Sequence, residues 1–77
     1  MSVIVDAAHL RLEMARRGWA ATDLAREARL SQATISAALA GKAISAMSLS
    51  LIAKSLTRAP VIAIVDQLIA SDEHSLS

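Results

Sequence analysis

Cysteine, tyrosine and phenylalanine are absent from the 77 residues, Trp19 is the only aromatic, and there are only two glycines and one proline. Without cysteine, neither disulfides nor cysteine-held metals can staple the chain. The same absence fits a reducing cytoplasm. So few glycines and prolines leave little punctuation for a hairpin-rich fold, and the strand-forming aromatics are missing. Long apolar runs are lacking too. The stretches around Ile44 to Ala53 and Ala59 to Val65 are interrupted by Ser, Lys or Asp and fall short of the roughly 20 residues that span a bilayer. Met1 to Asp6 show no basic region followed by an apolar run, so no targeting segment is expected. The expected molecule is soluble, with no membrane partner.

Catalytic motifs are equally scarce. His9 and His74 stand in a helix start and a polar tail, with no metal-ligand spacing to other residues. No glycine-rich phosphate loop or nucleophile motif occurs. A chain this short barely has room for a substrate pocket. The expectation is a protein that is not an enzyme and needs no metal, cofactor or small-molecule ligand.

What remains is alanine and leucine, both strong helix formers. An all-α fold is the natural reading, as one domain over residues 1–77. A core this small is thin and gains from pairing with a second copy. The net charge of +1 is uninformative, but its distribution is not. All eight basic residues lie between Arg11 and Arg58, a span with only three acids, Glu13, Asp23 and Glu27. That middle carries a charge of +5 between acidic flanks, which suits a polyanion on one face.

Periodicity and caps predict five helices. Residues 1–5 form a short apolar lead with no evident role, expected to be flexible. Asp6 caps a first helix from Ala7 to Arg17, with Ala7, Leu10 and Met14 inward and Gly18 as its stop. Trp19 tucks under the bundle. Thr22 caps a second helix ending at Ala28, with Asp23 in its first turn and Leu24, Ala25 and Ala28 inward. Ser31 caps a third, Gln32 to Ala40, with Ile35, Ala38 and Leu39 inward and Gly41 closing it. After a loop, Ser45 caps a fourth that runs to about Leu56, with Leu49, Ile52, Ala53 and Leu56 inward. Thr57 to Ala59 connect to a fifth helix with Pro60 in its first turn, reaching about Ala70. The tail, residues 71–77, is polar and expected to fray.

The second and third helices, joined by a three-residue break, form a compact unit from Ala21 to Ala40. Two helices crossing steeply at a tight turn need a small residue where they touch, and Ala25 supplies it. Ile35 plugs the angle and Leu30 anchors the corner. The outer side of the third helix is then short and polar: Gln32, Ala33, Thr34, Ser36 and Ala37. Such a face fits a major groove, where glutamine reads base edges and alanine meets a thymine methyl.

The residues Arg17-Gly18-Trp19, Leu24-Ala25, Leu30-Ser31-Gln32-Ala33-Thr34-Ile35-Ser36, Gly41, Ile52-Ala53 and Leu56 resemble the lambda-repressor-like, Cro/CI or Xre-type, helix-turn-helix domains. The resemblance spans Leu10 to Leu56. It implies a five-helix bundle and double-stranded DNA as the partner. It implies that Gln32, Ala33, Ser36 and Ala37 face bases, and that Thr34, Arg29 and Lys42 sit near phosphates. The start of the second helix, at Thr22, would meet a phosphate through its N–H groups. Three positions depart from the family pattern. Ala21 stands where glutamine is frequent, and Ala20 where a capping Ser or Thr is usual. Arg29 stands where glycine is usual because the chain turns left-handed. An arginine there costs on the order of 1–2 kcal/mol, a strain that a phosphate contact would justify.

In the fifth helix, Val61, Val65 and Leu68 can serve the core, leaving Ile62 and Ile69 along an exposed edge. A small domain rarely leaves such a stripe in water. A two-fold interface over Ile62, Val65 and Ile69 would set two recognition helices one DNA turn apart, about 34 Å. The resemblance thus implies a small Cro-like repressor from a bacterium, phage or mobile element, working as a homodimer by operator occupancy. The competing expectation is a protein-binding adaptor or antirepressor of the same fold without DNA contacts.

Overall fold

The computed structural model describes residues 1–65 and 67–68 of the chain. Two short strands and four helices follow in the order β1 (Ser2–Ile4), α1 (Ala7–Arg16), α2 (Ala21–Ala28), α3 (Gln32–Leu39), β2 (Ala43–Ser45) and α4 (Ala46–Arg58). Residues 63–65 and 67–68 are also helical and belong to the fifth helix. The expected all-α bundle is therefore present, with a small sheet added to it.

The helix starts follow the chemistry of their caps. The Asp6 carboxylate accepts from the His9 N–H at 3.0 Å. Ser31 accepts from the Thr34 N–H at 3.1 Å, and Ser45 from that of Ser48 at 3.0 Å. Each satisfies an amide that the helix leaves without a partner. At α2 the cap is Ala20, not the expected Thr22, and its methyl group cannot bond. The compensation runs backwards: the Asp23 carboxylate accepts from the Ala20 N–H at 2.8 Å.

Three helices end in the same way. At α1 the N–H groups of Gly18 and Trp19 reach the carbonyls of Ala15 and Met14. At α2 those of Arg29 and Leu30 reach Arg26 and Ala25, and at α3 those of Gly41 and Lys42 reach Ala38 and Ala37. This double closure needs one left-handed residue. Gly18 (φ 70°) and Gly41 (φ 75°) supply it without cost, whereas the third position is Arg29 (φ 58°).

Leu10 and Met14 of α1, Leu24, Ala25 and Ala28 of α2, Ile35 and Ala38 of α3, Ile44 of β2 and Ile52 of α4 form the buried core. Trp19, Leu30, Leu39, Leu49 and Leu56 pack around it, partly covered. Ser55 is also buried, its hydroxyl donating to the Ile52 carbonyl at 2.7 Å. Two cations lash the elements together from outside. Arg11 donates to the Leu39 carbonyl at 2.9 Å, and Arg17 to that of Leu56 at 3.0 Å.

Several expectations are corrected. The apolar lead is not a loose segment: Ser2, Val3 and Ile4 pair antiparallel with Ser45, Ile44 and Ala43. This turns Val3 inward beside buried Ile44. The fourth helix runs on to Arg58, so most of the expected connection is helical. Pro60 precedes the fifth helix rather than opening it, since residues 60–62 are not helical. Ala53 is exposed, because the inward stripe of α4 passes through Ile52 and Ser55 instead. Leu68, expected in the core, is 66% exposed. The expected end of the fifth helix, including Ile69, and the tail lie outside the described residues.

Candidate nucleic-acid interface

α2 and α3 pack against each other across the turn of Arg29 to Ser31. Ala25 of α2 and Ile35 of α3 are both buried in the core, Ile35 completely. With Ile35 and Ala38 pointing inward, helical spacing turns the opposite side of α3 to solvent. Gln32, Ala33 and Ser36 are exposed there, and Ala37 is half-buried at the edge. The four expected base-facing positions thus share one face of small side chains with a single long polar reach, Gln32.

Thr34 sits at the flank. It is half-buried, and its hydroxyl lies 3.0 Å from that of Ser31. With Ala33, Ala37, Ile44, Ser45 and Ser48 it lines an open groove of about 380 Å³ between α3 and the start of α4. The hydroxyls of Ser45 and Ser48 are bonded to each other at 2.8 Å along this groove.

The basic residues divide into two groups. Arg11, Arg16, Arg17 and Arg26 are engaged within the fold. Glu13 collects His9 (3.4 Å), Arg16 (3.0 Å) and Arg17 (2.7 Å). The hydrogen bond from Arg17 is the main cause that holds the Glu13 carboxyl below its ordinary value. Arg26 pairs with Asp23 at 2.8 Å. Asp23 also lies below its ordinary value, first through the Ala20 N–H and then through Arg26. Arg29, Lys42, Lys54 and Arg58 are exposed and make no ion pair among the described residues. Of these, Arg29 stands before the first turn of α3 and Lys42 just after its last, whereas Lys54 and Arg58 lie on α4. Two of the four free cations therefore bracket α3, a distinction that a count of basic residues does not make.

Thr22 is exposed in the first turn of α2. That helix start already holds the Asp23 carboxylate on the Ala20 amide, which lowers its attraction for a phosphate. On the fifth helix, the Ile62 N–H donates to the Arg16 carbonyl at 2.8 Å. Its side chain covers Gly18, where an added methyl would stand 3.1 Å from Ile62 Cδ1. Ile62 is thus partly committed within the chain at 44% exposure, Val65 is half-buried, and the more open apolar residues are Ile64 and Leu68.

Two helices packed across a short turn, a left-handed corner between them and a second helix whose small-residue face is bracketed by free cations define a helix-turn-helix unit. The model of the Cro/C1-type HTH DNA-binding domain matches residues 9–57, and the chain belongs to that family. Its class is that of DNA-binding regulators with double-stranded DNA as partner. No curated protein and no solved structure matches the chain. No helix among the described residues is long and apolar enough to cross a membrane.

Proposed function

We propose that the chain is a sequence-specific transcriptional regulator, a small Cro-like repressor that acts as a homodimer by occupying its operator. α3 enters the major groove. Gln32 reads a base edge with its amide, Ala33 and Ala37 meet thymine methyls, and Ser36 donates or accepts one turn further on. Arg29 and Lys42 clamp phosphates at the two ends of the helix, with Thr34 beside them. Thr22 adds a weaker phosphate contact at α2. The observation that carries the reading is the bracketing of a small-residue helix face by two exposed cations, Arg29 and Lys42, that make no ion pair among the described residues.

The dimer rests on the fifth helix. Ile62, Val65 and Ile69 were the interface residues expected from periodicity, and the open side chains of Ile64 and Leu68 extend that apolar surface. A two-fold contact there would hide it and set two copies of α3 on one side of the duplex.

Selection from random duplex DNA at two salt concentrations tests this reading. Enrichment of a palindrome with half-sites one helical turn apart is the expected result. Absence of both enrichment and salt-sensitive retention would instead favour the adaptor, for which the alanine at position 21 and the carboxylate at the start of α2 speak.

A further inference from the structure

Among the described residues β1 has one partnered edge and one open edge. The Ala46 N–H reaches the Met1 carbonyl at 3.1 Å, which fixes the phase of the ladder. In an antiparallel pair, hydrogen-bonded and non-bonded pairs alternate. Met1 faces Ala46 in a bonded pair, so Val3 and Ile44 form the next one. Ser2 and Ile4 then turn their N–H and C=O groups away from β2. None of these groups bonds elsewhere among the described residues. Both residues are exposed, Ile4 at 72%. Its shortness is the one feature it shares with natural edges that resist pairing; it contains no charge, no proline and no bulge.

We propose that this edge pairs with β1 of a second copy of the chain. A two-fold axis beside Val3 sets Ser2 of each strand opposite Ile4 of the other. Those are the residues whose groups point outward, so each pair exchanges two hydrogen bonds and the two strands share four. The side chains agree with the same register. The two Ile4 residues become diagonal neighbours on the outer face, close enough for long side chains to touch, so the contact also covers an apolar group now left in water. Nothing charged meets its own copy across the axis. The result is a four-stranded sheet in the order β2-β1-β1-β2.

Three residues per strand make a small contact. It therefore forms where chains are already concentrated, as on neighbouring DNA sites, where the local concentration is of millimolar order. It lies apart from the fifth helix and does not depend on the dimer described above. A chain that uses both surfaces can link one dimer to the next.

Amide exchange of the purified full chain, read by NMR at tens of micromolar and at about 1 mM, tests the proposal. The Ile4 amide is expected to slow with rising concentration. In Ser2→Pro that dependence should vanish, because proline removes an edge donor while sitting at the first strand position, where it is tolerated. An unchanged Val3 amide in the same variant verifies that the β1–β2 ladder stands. Leu68→Lys, which alters the fifth helix alone, should leave the Ile4 effect in place. An Ile4 amide that exchanges equally fast at both concentrations overturns the proposal, as does slowing that survives Ser2→Pro or disappears in Leu68→Lys.

Discussion

Arg11 of α1 donates from its guanidinium to the backbone carbonyl of Leu39, the last residue of α3, at 2.9 Å. The bond satisfies a carbonyl that the helix leaves open and sets a cation at the negative end of its dipole. It also removes Arg11 from the charge available to DNA and fixes the pose of α3 against α1. Arg11→Ala should cost about 1 kcal/mol of stability. It should weaken duplex binding with no change in the salt slope, since no phosphate contact is lost. Urea unfolding and binding at several salt concentrations check both.

Arg29 occupies the left-handed corner where the other two helix closures use glycine. Arg29→Gly relieves a strain of on the order of 1–2 kcal/mol and returns part of it as unfolded-chain entropy. Folding stability should hold or rise while DNA binding weakens. A variant that binds as tightly as the parent would remove Arg29 from the interface.

Gln32 is the long polar side chain on the exposed face of α3 and stands in its first turn. Gln32→Ala should reduce discrimination at one base pair of each half-site by about 1–3 kcal/mol and leave the other positions unaltered. Repeating the selection with this variant shows which position relaxes.

Glu13 joins His9, Arg16 and Arg17, and Arg17 in turn holds the end of α4 through the Leu56 carbonyl. Its carboxyl is held below the ordinary value of 4.5, chiefly by the Arg17 hydrogen bond. A carboxylate with a depressed folded-state pKa contributes stability that is complete above the unfolded value and is lost as pH falls through the folded one. Stability should therefore decline below about pH 4.5, with Asp23 adding to the fall below its ordinary 3.8. Glu13→Gln should flatten the upper part of that decline in unfolding measured between pH 6 and 3, a window on the order of the usual carboxylate range.

Much of this architecture was legible in local chemistry. Asp6, Ser31 and Ser45 cap because short oxygen-bearing side chains before apolar periodic runs have little else to do. Gly18 and Gly41 end helices, and the left-handed turn at Arg29 followed from the place that glycine usually holds there. What escaped depends on partners distant in sequence. β1 and β2 are three residues each, too short for alternation to register, and each exists only because the other lies beside it. At α2 residue type pointed to Thr22 as the cap, whereas the family pattern placed it at Ala20, whose N–H donates to the Asp23 carboxylate. Ser55 is buried because its hydroxyl is satisfied within its own helix turn, which leaves no trace in a hydrophobic pattern. The exposure of Leu68 could not be read from periodicity, since the fifth helix is anchored through Ile62 on Gly18 and Arg16. For the site, residue type identified the exposed face of α3. It could not separate the cations spent on Glu13, Asp23 and Leu39 from those left free.

That separation gives the most direct test. The salt dependence of duplex binding should be measured for the parent, for Arg29→Ala with Lys42→Ala, and for Lys54→Ala with Arg58→Ala. Each phosphate contact contributes close to one unit of log–log slope. The slope should fall by about two units per chain, hence about four for the bound homodimer, in the first pair, whose side chains bracket α3, and stay at the parent value in the second. Equal losses in both pairs, or none in the first, would contradict the placement of DNA along α3.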